Sequence, residues 1–318
     1  MEKVLVLGAT GGMGREIVNE LTNKGIEVVA FARTEGKLKR FYDSNRLVKI
    51  ISGDMLNQAD VIKAAIDTDV IIHSVNVPYE EWQEKLFIIM KHAIKAAQQN
   101  NAKLAVVDNI YAYGRNGGKK MQENQHKQPH TKKGKIRLEL EKIIKTSNVP
   151  YLIAHFPDFY GPHAENAVLN FYLNSVVANK KPMFVGDPAI MREYIYTPDG
   201  AKAMVSLALN ESAYGQNWNI PATDVISGRQ IFQIVNSFTN KKGKPLIVNK
   251  LMIRMIGLFD KTMREVVEMF YLMEEPVVLD GTKYEREIGP LPKTSYEMGI
   301  KQTLANLTKK QGYGGTDN

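Results

Sequence analysis

The sequence contains no cysteine, which excludes disulfides, thiolate nucleophiles and cysteine-based zinc sites. Long apolar runs are also missing. None approaches the roughly 18–20 consecutive residues that a membrane-spanning helix needs, and the apolar stretch Val4–Leu7 is too short for a signal-peptide core. A cytoplasmic protein without membrane association is therefore expected. Metal ligands are scarce as well. Of the six histidines, the closest pair is His126 and His130. Pro129 lies between them and opposes the helical i, i+4 arrangement that would put both rings on one face, so no metal site is expected.

The 318 residues are 44% hydrophobic and 24% charged, enough for one large domain or two closely joined ones. The net charge of +8 favours anionic small molecules as partners. Part of it comes from Arg115 to Lys135, which holds seven Lys/Arg against the single acid Glu123. That stretch reads either as a solvated loop or as a segment able to close over an anionic group on a small-molecule substrate. Nucleic acid is not expected, because neither aromatic interleaving nor a base-reading motif accompanies the charge.

Apolar periodicity orders the first half. Strands are expected over Lys3–Leu7, Glu27–Ala32, Leu47–Ile51, Asp69–His73, Lys103–Val107 and Tyr151–His155. Helices are expected over Gly12–Thr22, around Val61, Ile62, Ala65 and Ile66, and over Glu81–Gln99 and Gly134–Thr146. Strands alternating with helices at this spacing predict an α/β fold with a doubly wound parallel sheet, since each parallel crossover needs a connecting element. Phe87 and Ile88 lie off the main stripe of the helix Glu81–Gln99. That helix therefore needs a second burial partner, and a homodimer through helices 81–99 and 134–146 is expected to supply it.

The second half is less regular. Helices are expected near Asn166–Ala178, Pro198–Leu209, Gly228–Thr239 and Ser295–Thr308, with short strands near Glu193–Thr197 and Trp218–Ile220. Without a linker or repeat, the chain divides into a dinucleotide-binding domain, 1–156, and an interwoven, smaller, mostly helical substrate lobe, 157–318. The tail from Gln311 is expected to fray. Asn166, Tyr172, Arg192 and Met263 are guesses for the lining of a substrate pocket.

Chemistry enters at Gly8-Ala9-Thr10-Gly11-Gly12-Met13-Gly14. Glycines spaced G-x-x-G-x-x-G are weak evidence alone, but here they follow an apolar strand directly and open a helix with correct apolar spacing. Gly8 permits the tight exit from the strand, Gly11 the approach of a pyrophosphate, and Gly14 close helix–strand packing. The helix N-terminus offers unpaired N–H groups and partial positive charge. Thr10, Gly12 and Met13 belong to the same phosphate turn. At the end of the second strand an NAD site places a carboxylate for the ribose 2′-OH, whereas an NADP site supplies a cation. This sequence has Ala32 and then Arg33, whose planar, paired donors suit a phosphate. NADP is the expected cofactor, ahead of NAD.

The turn GATGGMG, the Gly53-Asp54-Met55 step, the strand Asp69–His73 and Tyr160-Gly161-Pro162 together resemble an extended short-chain dehydrogenase/reductase, the NAD-dependent epimerase/dehydratase family. In the second half, Glu193–Ala201, Asn217–Pro221, Gly289 and the closing helix resemble it too. The resemblance covers almost the whole chain. It implies that Asp54 and Met55 flank the adenine and that Asn76 lies beside the cofactor ribose. It implies also that the loop Pro157–Tyr160 lines the nicotinamide, with the C-terminal half holding the substrate.

In that family a Tyr and a Lys four residues apart stack on one helical face, and the Tyr exchanges a proton with the substrate oxygen. A Ser or Thr at the end of the fifth strand orients that oxygen. The matching positions here are Lys133, Arg137 and Asn109, so all three expected residues are replaced. Tyr111 and Arg115 are also four apart, but Gly114 and Gly117-Gly118 argue for a loop. Three readings are open. Lys133 replaces the Tyr as proton donor or base, with Arg137 and an oxidised nicotinamide lowering its pKa by like charge. Alternatively, Tyr111 or His130 is the acid and Lys133 holds an anionic substrate. In the third, the protein is a non-catalytic NADP-binding redox sensor or regulator. Lys133 as a solvated helix-start residue, and Tyr111 as loop packing, are the plain structural alternatives. Asp158, in the loop expected over the nicotinamide, is a candidate base or substrate-hydroxyl acceptor. The leading expectation is an NADP-dependent oxidoreductase or epimerase/dehydratase-like enzyme acting on a small carbonyl, hydroxyl or sugar-like compound.

Overall fold

Seven short segments, six of them rich in aliphatic residues, pair in a computed structural model, which describes residues 2–239 and 244–313. They are β1 (Lys3–Leu7), β2 (Glu27–Ala32), β3 (Val48–Ser52), β4 (Val70–His73), β5 (Lys103–Asn109), β6 (Tyr151–Phe156) and β7 (Gln216–Asn219). Every pairing is parallel and the spatial order is β7-β6-β5-β4-β1-β2-β3. Successive side chains of a strand point to opposite faces. Val4 and Val6 meet α1 (Gly12–Asn23) through Ile17, Val18 and Leu21. Leu5 and Leu7 meet the other layer, built from α3 (Gln58–Ala64), α4 (Trp82–Asn100) and α5 (Lys132–Lys145). Both faces are covered, as parallel strands require. The winding direction reverses between β1 and β4, which opens a crevice at the carboxyl ends of the strands.

The seventh strand, β7, comes from the C-terminal half, where only an isolated strand was expected. Its apolar pattern is masked by Asn217 and Asn219, buried polar residues that hydrogen-bond to other elements. Asn217 donates to Glu141 at 2.8 Å, and Asn219 accepts from the Tyr113 hydroxyl at 2.6 Å and donates to the Met121 carbonyl at 2.8 Å. The helix α2 (Glu35–Tyr42) was not anticipated, because only Leu38 and Tyr42 turn inward along it. Ile66, expected in the apolar stripe of α3, is 52% exposed; the helix ends at Ala64 and Asp67 adopts a φ of +58°. At the other end of the chain, helix Tyr296–Tyr313 continues past Gln311, where fraying was expected; residues 314–318 of that tail lie outside the described residues.

The second burial partner of α4 is inside the chain. α3 and α5 flank it, Phe87 packs into the same cluster, and Ile88 alone of the pair stays exposed at 43%. Beyond the sheet, Asp158–Tyr160, Met191–Tyr196 and Val225–Ser227 form a small three-stranded sheet. It is covered by α6 (Val168–Val177) and the helices Gly228–Thr239 and Tyr296–Tyr313. Tyr172 belongs to this core against Phe184 and Phe232, not to a pocket lining. Among the described residues no helix is long and apolar enough to cross a membrane.

Candidate active site

The turn after β1 needs its glycines for separable reasons. Gly8 has a φ of +85°, a left-handed conformation that side chains disfavour. A Cβ on Gly14 would lie 2.2 Å from the Gly8 carbonyl oxygen, because α1 starts in contact with the turn it leaves. A Cβ on Gly12 would lie 2.8 Å from the His163 carbonyl oxygen. A segment of the C-terminal half thus crosses the start of α1, and His163 Nδ1 sits 2.6 Å from Glu16 Oε1. Gly11 is the exposed N-cap of α1, and the N–H groups of Gly12, Met13 and Gly14 have no intrahelical acceptor. Thr10 is half-buried beside them. The turn is braced from below by the Tyr42 hydroxyl, which donates to the Ala9 carbonyl at 2.6 Å.

Around this turn stand the other residues expected to hold a dinucleotide. Ala32 ends β2, and Arg33 follows it, exposed and without an ion-pair partner among the described residues. After β3, Asp54 accepts from the Leu56 N–H at 2.9 Å, and Met55 is buried with its carbonyl accepting from His92 Nδ1 at 2.9 Å. Asn76, after β4, is exposed and accepts from Arg137 Nη2 at 3.2 Å. Pro157 is buried between β6 and the strand carrying Asp158.

The opposite wall is formed by the end of β5 and the start of α5. Thr131 caps α5 by accepting from the Gly134 N–H at 3.1 Å, so the helix begins at Lys132, two residues before the expected start. Lys133 therefore lies in its first turn and is 1% exposed, which removes the reading of a solvated helix-start residue. Its Nζ donates to Glu265, and to Glu268 Oε1 at 3.2 Å. The Glu268 carboxylate also accepts from the N–H groups of Lys132 at 2.8 Å and Lys133 at 3.2 Å. It thus serves the unpaired donors and positive end of α5.

Arg137, one turn along, is buried, ion-paired with Asp108 at 3.3 Å and laid over the Trp82 ring at 4.3 Å. Lys133 and Arg137 are each compensated by carboxylates. The like-charge repulsion expected between them is offset.

Asn109 turns its side-chain oxygen to the N–H of Tyr111 at 3.0 Å and so caps the short turn Ile110–Tyr113. The Tyr111 hydroxyl shares a 2.6 Å hydrogen bond with Tyr79, and its ring stacks on Trp82. Burial, with Tyr79 and Asp158 adding to it, pushes the Tyr111 phenol well above its ordinary value. Burial likewise raises the carboxyl of Asp158, against the pull of Arg192. His130 packs edge-on against Tyr271, with ring centroids 4.5 Å apart. The residues brought to one wall are thus Tyr79, Tyr111, Lys133, Glu265 and Glu268. Tyr79, Asp108, Glu265 and Glu268 were not anticipated. The two glutamates are spaced i, i+3 on a helical run, yet more than 130 positions from the lysine they meet.

The basic stretch 115–135 is largely solvated, with Arg115, Lys119, Lys120, Lys132 and Lys135 exposed, while its other two cations, Lys127 and Lys133, are buried. Lys127 is buried and pairs with Glu141, while its Nζ donates to His155 Nε2 at 2.8 Å. His155 Nδ1 in turn donates to the Asn109 carbonyl at 3.2 Å. Arg115 pairs with Glu275 at 2.5 Å.

Two buried histidines make the fold sensitive to acid. Burial, reinforced by Arg137, lowers His73 to about 4; burial and then Lys127 lower His155 to about 3. Below the ordinary value of 6.5 the unfolded chain takes up protons that the folded chain refuses, so stability falls as pH drops from about 6.5 toward 4. For His73 alone, moving from pH 7 to pH 5 costs about 2 kcal/mol. Chemical denaturation at both pH values should show that gap shrinking by this amount in His73→Leu. An unchanged gap would show that His73 does not carry the effect.

Residues 8–169 match the sequence model described as NAD(P)H-binding. A putative UDP-glucose 4-epimerase of Methanocaldococcus jannaschii is 22% identical, over 95% of this chain and 97% of that protein. A shorter match, 32% identical over 71 residues, spans 22% of this chain and 24% of an uncharacterized protein of Saccharomyces cerevisiae. Among solved structures, the dTDP-glucose 4,6-dehydratase of Bacillus anthracis in complex with NAD superposes with a TM-score of 0.81 at 16% identity, covering 98% of both chains. The UDP-glucuronic acid 4-epimerase of Bacillus cereus in complex with NAD gives 0.78 at 18% identity, covering 98% of this chain and 99% of that one.

Proposed function

The chain belongs to the NAD(P)H-binding family, and from that premise we propose that it is an NADP-dependent epimerase- or dehydratase-like oxidoreductase in which Lys133 takes the place of the usual tyrosine. The observation that carries the cofactor is the pairing of the Gly8–Gly14 turn with a β2 end that has no carboxylate and presents an exposed Arg33 with no ion-pair partner among the described residues. Residues 1–156 hold the dinucleotide and 157–318 the substrate. Thr10 and the N–H groups of Gly12, Met13 and Gly14 would hold the dinucleotide's phosphates. Asp54 and Met55 would flank the adenine, Asn76 would stand beside the ribose, and Pro157 would line the nicotinamide. NADP supplies hydride transfer when bound.

On the substrate side, Lys133 donates a proton to the reacting oxygen, and Arg137 with Asp108 fixes its helix against Trp82. Tyr111, kept protonated by burial, supplies a second hydrogen bond, and Asp158 accepts from a substrate hydroxyl. Asn109 positions Tyr111. The substrate is a small carbonyl, hydroxyl or sugar-like compound, and sugar nucleotides are the first class to try because the similar proteins are described as acting on them. The homodimer proposed through α4 and α5 is checked by sedimentation equilibrium.

Calorimetric titration tests the cofactor. NADPH should bind more tightly than NADH. Arg33→Ala should weaken NADPH by roughly tenfold and leave NADH unchanged. Equal affinities for both cofactors before and after the change overturn the assignment. A second reading, a cofactor-binding regulator without turnover, is favoured by one observation: Glu265 and Glu268 already occupy Lys133. Tight NADPH binding with no oxidation across a panel of carbonyls and nucleotide sugars would select it.

A further inference from the structure

The helix Lys250–Ile256 and the turn after it show the reverse of an ordinary surface pattern. A surface helix turns its apolar stripe inward and its polar face to water. Here Ile253 is the buried residue, while Leu251, Met255 and Leu258, at i, i+4 and i+7, face out with exposures of 61%, 59% and 68%. Ile256 is half-exposed beside them, and Phe259, at the tip of the turn, is 93% exposed. Scattered single apolar residues on a surface need no explanation, but a contiguous patch of this kind marks a contact site. Leu251 extends the surface further, into a cavity of about 390 Å3 lined also by Ile190, Ile247, Phe270 and Met273.

Charge indicates what covers the patch. Arg254 and Lys261 border it, both exposed and neither ion-paired among the described residues. The acid within the turn, Asp260, is committed to capping the next helix at the Met263 N–H, 2.9 Å away. Arg264 holds the turn together through the carbonyls of Gly257 at 3.0 Å and Leu258 at 3.4 Å. A second copy docking through the same patch would bring Arg254 and Lys261 of both chains together, which like charge opposes. A convex tip led by Leu258 and Phe259 enters a fluid interface without needing a matching pocket. Apolar side chains bordered by cations are the combination that lies on anionic bilayers.

We propose that residues 250–261 form a peripheral docking site for an anionic lipid surface, on which the protein lies without spanning it. The assignment is independent of the cofactor and of the reaction. Flotation with vesicles of equal phosphatidylglycerol and phosphatidylcholine tests it on the full chain, with pure phosphatidylcholine as the comparison. The unmodified protein should float with the anionic vesicles at least about tenfold more than with the neutral ones. Leu258→Ser with Phe259→Ser should lower binding by about tenfold or more. Arg254→Glu with Lys261→Glu should abolish the preference for anionic lipid. Circular dichroism and NADPH titration on each variant verify that the fold persists, since none of these residues is part of the core or of the cofactor turn. Equal flotation of the serine variant and the unmodified protein overturns the proposal. So does a dimer in light scattering that becomes a monomer in the serine variant without any vesicle binding, because the occupant is then a second copy.

Discussion

Gly14→Ala should destabilise the protein by about 3 kcal/mol and weaken NADPH binding by more than about tenfold. The sign is the informative part. Gly14 lies in the first turn of α1, and in a helix alanine is ordinarily better than glycine by about 1 kcal/mol. The added Cβ would sit 2.2 Å from the Gly8 carbonyl oxygen and 2.7 Å from Ser74 Oγ. The first obstacle is backbone, so α1 must move away from the turn, and the phosphate-facing N–H groups move with it. Gly36→Ala is the matched control. A Cβ there meets nothing within 4 Å in α2, and stabilisation by about 0.5–1 kcal/mol is expected. Thermal melts of both variants decide the matter. Equal effects from the two alanines would falsify the steric account.

Lys133→Met should lower turnover by about 10²–10⁴-fold and lower stability by about 2 kcal/mol. The stability loss sits below the usual range for breaking a buried ion pair because the Glu265 and Glu268 side chains are each 28% exposed and recover some hydration. A purely structural lysine would also lose activity when its removal disrupts the site, so a second variant separates the roles. Adding Glu265→Gln and Glu268→Gln to Lys133→Met removes the uncompensated negative charge and should restore most of the lost stability. Turnover should stay low, because no proton donor has returned. Activity recovering together with stability would make Lys133 a structural cation and return the chemistry to Tyr111.

The two experiments probe parts of the molecule that differ in how far they can be read from sequence. The phosphate turn is local. Seven consecutive residues after an apolar strand specify a strand exit, a helix start and a cradle, and Gly8 and Gly14 occupy the conformation and the close contact that their spacing implied. The alternation of strands and helices is equally local, which is why the doubly wound sheet was legible from periodicity. Ala32 and Arg33, adjacent in the chain at the end of β2, are read the same way.

Long-range pairing was decided only in three dimensions. Nothing near Gly12 in the chain tells that His163 and Ala164 pass over it. Nothing near Lys133 tells that Glu265 and Glu268 meet it from the far end of the chain, turning an expected solvated or base-like lysine into a buried, doubly compensated cation. A short strand was expected near Trp218–Ile220, but its place at the edge of the central sheet as β7 was not legible, because Asn217 and Asn219 are held there by partners on other elements that a hydrophobic pattern does not record. The sequence by itself determined the dinucleotide turn and the sheet, since short-range sterics and periodicity carry both. Only the tertiary structure decided which charges face one another, because ion pairing depends on contacts between residues the chain keeps far apart.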